Sequence, residues 1–237
     1  MKHHLIYPSS LALALIICLC SCTKTATVPT STSSAEQGTT IKLPEPQHDS
    51  DISIEQSLLQ RRSARSYTDE PLTLREVSQL LWAAQGITDP RGFRTAPSAG
   101  ALYPLEVYVV AGNIQNLLSG IYRYEPDKHQ LIRIASGDKR ADLANAALGQ
   151  RPVKEGGIAF VFTAVYERTT GKYGDRGIRY VHIEVGHAAQ NLCLQAAAIG
   201  LGTVTIGAFY DEQVATLLNL PKDEQPLYII PVGRKKG

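Results

Sequence analysis

Three guanidiniums and a hydroxyl stand within five residues at Arg61-Arg62-Ser63-Ala64-Arg65. Arginine forks match phosphate oxygens in bidentate geometry, so this run can grip a phosphorylated ligand. A solvated charge run closing a helix C-terminus has the same composition. Pro97-Ser98-Ala99-Gly100-Ala101 offers small side chains that let a flat ligand approach the backbone, with the Ser98 hydroxyl beside it. An ordinary surface turn also reads this way. In Ile206-Gly207-Ala208-Phe209, backbone N–H groups at Gly207 and Ala208 can donate to an acceptor without side-chain bulk; the alternative is a plain strand-to-helix connection.

Two other patterns carry no chemistry. His182 and His187 flank Glu184 at a spacing of five, which turns the imidazoles to different helix faces, so no metal site is expected. Gly200-Leu201-Gly202 is too short for a dinucleotide fingerprint and lacks the strand–helix–strand context.

One long helix must position these groups. Within Lys172–Gly202, Ile178, Val181, Val185, Ala188, Ala189, Leu192, Ala196, Ala197 and Ile199 recur at helical spacing. Its many small residues suit close approach of a second backbone, and Gly200 suits a C-cap. Ser53–Arg62 and Thr73–Gly86 read as capped helices, and Asp138–Leu148 and Asp211–Leu218 as two more. Strands are expected at Tyr108–Ala111, Gly120–Glu125, Gln130–Ile134, Ile158–Val165, Thr203–Ile206 and Leu227–Val232. The fold class is α+β, a mixed central sheet with helices on both faces.

The chain of 237 residues is 43% hydrophobic and 19% charged, with a net charge of +2. That is enough apolar material for one core, and no basic field suits nucleic acid. Residues 1–21 carry Lys2 and a short apolar run, the pattern of an export signal, ending in Leu19-Cys20-Ser21-Cys22. That tetrapeptide resembles a bacterial lipobox, which implies cleavage before Cys22, lipidation of Cys22 and a membrane-anchored protein outside the cytoplasm. Residues 22–47 are rich in Thr, Ser and Pro and read as a flexible tether, with 41–46 as an extended arm that starts to touch the domain, leaving 48–237 as the domain. Only Cys193 then remains, which excludes internal disulfides.

RRSARSYTDEPLTLREVSQLLWAAQGI, RTAPSAGALYPLEVYVVA, KYGDRGIRYVHIEVGHAAQN and AAAIGLGTVTIGAF, in this order, resemble the SagB-type dehydrogenases of the FMN-dependent nitroreductase superfamily. The resemblance spans Ile41 to Arg234. It implies a homodimer with FMN bound between subunits, the central helix at the interface, and a small-molecule or peptide substrate. By position, Arg61, Arg62, Ser63 and Arg65 match the segment holding the ribityl phosphate. Pro97, Ser98, Ala99 and Gly100 match the loop reaching the flavin from the partner. Gly207 and Ala208 match the turn facing flavin N5, and Arg234 a basic residue near the phosphate. Lys172 and Tyr173 match a pair implicated in proton removal during azoline oxidation. Neighbouring Arg176 and Arg179 would lower a desolvated lysine's pKa towards a useful base. Azoline dehydrogenation and the reduction of a quinone or nitroaromatic are the competing reactions, with an exported ligand-binding module as the non-enzymatic alternative.

Overall fold

The computed structural model describes residues 38–236. The expected signal, Cys22 and the first part of the tether lie outside the described residues. The elements in chain order are β1 (Thr40–Lys42), α1 (Ile54–Gln60), β2 (Leu72–Thr73), α2 (Leu74–Gln85), β3 (Leu105–Ala111), β4 (Ile114–Gln115), β5 (Gly120–Glu125), β6 (Gln130–Ser136), α3 (Arg140–Ala146), α4 (Arg151–Glu155), β7 (Ile158–Val165), α5 (Glu167–Tyr173), α6 (Arg176–Ala198), β8 (Leu201–Thr203), α7 (Asp211–Leu218) and β9 (Glu224–Arg234).

A seven-stranded sheet of order β1-β6-β5-β3-β7-β9-β8 forms the middle layer. Every adjacent pair in it is antiparallel, where the sequence reading had a mixed sheet; parallel pairing is confined to the small β2–β4 ladder and a Ser63–Thr203 bridge. β7 is buried on both faces. Phe160 and Phe162 join a core with α2 and α6, while Ala159 and Val161 join a second core with α3, α4 and α7. That two-sided burial is why its apolar run is continuous rather than alternating.

Local chemistry sets the helix starts. Ser53 accepts from the Gln56 N–H at the start of α1, and α2 carries a full capping box between Thr73 and Glu76. α4, with a proline in its first turn, was not anticipated. The expected central helix is α6, 23 residues long; the short helix α5, absent from the sequence reading, ends before it at Tyr173, and Gly174 takes φ 56° between them.

Two expectations change. The arm at 41–46, expected only to start touching the domain, is docked on it in full. β1 adds an edge strand to β6, Leu43 is buried, and Gln47 and Gln79 exchange two hydrogen bonds at 2.8 and 2.9 Å. A β-branched strand residue (Ile41) and a buried leucine dock the arm despite its prolines. Second, the small residues of α6 do not await a second chain. Ala188, Ala189, Ala196 and Ala197 are buried within this chain, where α6 lies against α2 and the sheet. Its exposed face carries Ile178, Ile183, Gly186, His187 and Gln190 instead.

Candidate functional site

The predicted site residues fall into two clusters. In the first, α1 ends at Gln60 and the chain turns extended. The Ala64 N–H donates to the Thr203 carbonyl at 2.8 Å, stitching the arginine segment to β8. Gly202 permits this approach, because a Cβ there would sit 2.8 Å from the Ala64 Cβ. Beside the seam is a cavity of about 360 Å³ lined by Arg61, Ser63, Gln190, Cys193, Thr203 and Tyr228, among others. Gly207 is not among the lining residues, but a Cβ there would meet only the ring of Tyr228, which does line the cavity, at 3.9 Å. The N–H groups of Gly207 and Ala208 make no hydrogen bond among the described residues. The Ala208 carbonyl accepts from Gln150 at 2.9 Å, which fixes the turn.

The arginines divide by what they touch. Arg61 has no ion-pair partner among the described residues and faces the cavity. Arg65 is exposed and likewise unpaired among them. Arg62 folds back onto the Leu59 and Arg61 carbonyls at 3.0 and 2.7 Å. It therefore caps the end of α1, as the structural alternative for this run required. Arg234 departs from its expected phosphate role. It pairs with Glu76 at 2.6 Å and Glu70 at 3.3 Å and donates to the Pro71 carbonyl. Two carboxylates already occupy its fork, so an anion would have to displace them. The Cys193 thiol, buried beside the Thr203 hydroxyl, has its pKa raised by burial.

The second cluster is built by the loop 94–103. Gly100 takes φ 63°, and an added Cβ would fall 2.8 Å from the Tyr173 hydroxyl and 3.0 Å from Lys172 Nζ. The structure thus joins Pro97–Gly100 to the Lys-Tyr pair, and the Tyr173 ring stands edge-on to Tyr180 of α6 at 5.2 Å. Ala101 and Tyr103 also take positive φ, 53° and 46°. Such residues cost on the order of 1 kcal/mol or more each and persist only when their surroundings over-determine them. Here the surroundings do. The Ser98 hydroxyl accepts from the Tyr103 N–H at 2.9 Å and donates to Glu184 at 2.5 Å. The Tyr103 carbonyl accepts from Arg168, its hydroxyl accepts from the Arg94 N–H, and the Arg94 guanidinium lies 4.5 Å from its ring centroid. Ser98, expected to face a ligand, is thus turned inward.

In the sequence Glu184 stands out by its place between His182 and His187. It is 3% exposed, and burial pushes its carboxyl up to about 7, against the lowering pull of the Ser98 hydroxyl and Arg94. One of its oxygens has no partner among the described residues. The signal was present in the sequence: position 184 lies on the Val181–Val185–Ala188 stripe, where a carboxylate is out of place. His182, by contrast, is exposed and bonds the Tyr166 hydroxyl at 2.6 Å.

One chain does not bring the clusters together. The first lies against Gln190 of α6 and the second against Glu184. Six residues at about 100° each put these on faces roughly 120° apart.

A three-layer α+β domain with an anion-ready cavity at the seam of an arginine segment and a sheet edge is an architecture built to hold a ligand. The chain belongs to the nitroreductase family, whose model matches residues 58–234. A Methanocaldococcus jannaschii protein named as a nitroreductase is 48% identical over 198 residues, 84% of this chain and 98% of its own length. The microcin B17-processing protein of Escherichia coli is 31% identical over 63% of this chain and 57% of that protein. Among solved structures, a nitroreductase-named protein of Ralstonia eutropha superposes with TM-score 0.73 at 30% identity, covering 87% of this chain and 93% of that one. The Escherichia coli microcin synthetase complex with truncated pro-MccB17 bound gives 0.66 at 29%, covering 75% and 70%. Membership makes the chain an oxidoreductase of this family.

Proposed function

We propose that this is an FMN-dependent oxidoreductase of the SagB type that works as a homodimer and is exported and lipid-anchored through Cys22. The observation that carries the flavin reading is the unpaired Arg61 guanidinium facing a 360 Å³ cavity with Ser63 and Thr203, while Gly207, next to the Tyr228 ring that lines the cavity, adds no side-chain bulk. That donor set fits a phosphate monoester at one end and a flat ring edge at the other. Arg61 and Ser63 would hold the phosphate, with Arg65 at the rim. Arg62 and Arg234 are committed elsewhere and stand outside the binding set. Flavin-reductase names among the relatives, such as the Bacillus subtilis FMN reductase (NADPH), favour the same cofactor.

When bound, FMN supplies a two-electron acceptor or donor at N5. The chain's own residues then bind, orient and move a proton. The N–H groups of Gly207 and Ala208 would donate to the ring edge. Lys172 and Tyr173, at the end of α5 against Gly100, would take the proton from one azoline ring carbon while the adjacent carbon gives up its hydride to the flavin. The SagB assignment rests on that pair and on the likeness to the microcin-processing protein.

A second copy supplies what one chain lacks. α1 is inverted: Ser57 is its buried residue, while Ile54, Leu58 and Leu59 are 56%, 55% and 73% exposed. Ile178 and Ile183 of α6 are exposed as well. Apolar faces of this kind mark protein interfaces. A partner covering them would bring its Lys-Tyr cluster towards the Arg61 cavity of the first copy.

Export and the Cys22 anchor rest on the lipobox-like tetrapeptide. The test of the whole reading is a mature protein purified from membranes, assayed for yellow colour and FMN mass. Anaerobic mixing with NADH, NADPH or a model thiazoline peptide then identifies the donor, because only a true donor bleaches the flavin.

A further inference from the structure

We propose that Glu184 is a positioning residue: through Ser98 it latches the loop 94–103 so that Gly100 stands against Lys172 and Tyr173. The inference rests on the flavin-oxidoreductase reading for its functional consequence, but the latch itself is a property of the folded chain.

The Ser98 hydroxyl is the joint. It uses its proton on Glu184 and a lone pair on the Tyr103 N–H, so a single oxygen couples helix α6 to the loop. Gly100, Ala101 and Tyr103 all take positive φ, and at Ala101 and Tyr103 that backbone costs free energy that the surroundings must offset. Gly100 is the residue that meets the Lys172 ammonium and the Tyr173 hydroxyl. A loop free to relax its positive φ angles would move the surface against which that pair is set. The anchor is firm because Glu184 is buried in a 23-residue helix whose neighbours Val181, Val185 and Ala188 belong to the core. Removing the carboxyl leaves the serine hydroxyl without the acceptor that orients it.

The experiment has two arms. In flavin-free protein, amide exchange is read on the segment containing Tyr103 for wild type, Ser98→Ala, Glu184→Ala and Glu184→Gln. Ser98→Ala sets the released rate, expected about tenfold or more above wild type. Glu184→Ala should come close to that rate, and Glu184→Gln, which keeps an oxygen for the Ser98 hydroxyl, should stay near wild type. In the FMN-loaded protein, Glu184→Ala should lower thiazoline-peptide turnover about tenfold or more, with the FMN Kd within about twofold of wild type and activity restored in Glu184→Gln. Wild-type exchange in Glu184→Ala overturns the latch. Fast exchange with unchanged turnover overturns its functional role. A wild-type protein that binds no FMN overturns the functional reading alone, since the exchange arm needs no flavin. Should Glu184→Ala fail to fold, Ser98→Ala carries the turnover comparison, with Ser98→Thr, which keeps the hydroxyl, as the rescue.

Discussion

Replacing Glu184 by glutamine should change how stability depends on pH, and in a stated direction. Burial holds the Glu184 carboxyl at about 7, against an ordinary 4.5. Between those values the folded chain keeps a proton that the unfolded chain has lost. Stability therefore falls as pH rises from about 4.5 and levels off above about 7. Each pKa unit corresponds to about 1.4 kcal/mol, so the rise from 4.5 to about 7 is worth on the order of 3 kcal/mol. Glutamine cannot ionise. The difference in unfolding free energy, variant minus wild type, should grow by that amount between pH 4 and pH 8.5. Any change caused by the amide's extra donor adds a constant offset and leaves the slope alone. Urea unfolding of both proteins at five pH values measures it, with titrations elsewhere cancelling in the difference. A difference flat to within about 0.5 kcal/mol would refute the reasoning, because it would mean that Glu184 ionises in the folded chain as it does in water.

Other substitutions separate the clusters. Gly100→Ala should cost about 1–2 kcal/mol for left-handed backbone. It should also displace the Tyr173 hydroxyl and Lys172 ammonium, lowering turnover with little change in FMN affinity. Arg234→Ala should destabilise the fold by about 1–3 kcal/mol, because Glu76 loses its partner, and leave the FMN Kd within about twofold of wild type; thermal unfolding and flavin titration read the two effects. Cys22→Ala should move the protein from the membrane to the soluble fraction on cell fractionation.

Much of this molecule was legible where local chemistry decides. β7 and α7 match their expected bounds because a β-branched run and an acid-led amphipathic helix need no tertiary information. The capping box of α2 was readable for the same reason. Tertiary partners decided the rest. Arg234 could not be assigned from sequence, since only the fold places Glu76 within 2.6 Å of it. Arg62 and Arg61 are chemically identical neighbours, and only backbone direction turns one onto helix carbonyls and the other into a cavity. The alanines of α6 signalled close packing correctly but could not say against what; the answer was α2 and the sheet. Glu184 is the reverse case, a residue visible as an anomaly on an apolar stripe before any partner was known.

The most direct measurement is a fluorescence titration of FMN into the purified, flavin-stripped protein and its Arg61→Glu variant. Wild type should quench the flavin at a stoichiometry of one FMN per chain, and the variant should bind at least about a hundredfold more weakly, a loss of roughly 3 kcal/mol for a reversed phosphate contact. Equal quenching by both proteins, or none by either, would contradict it.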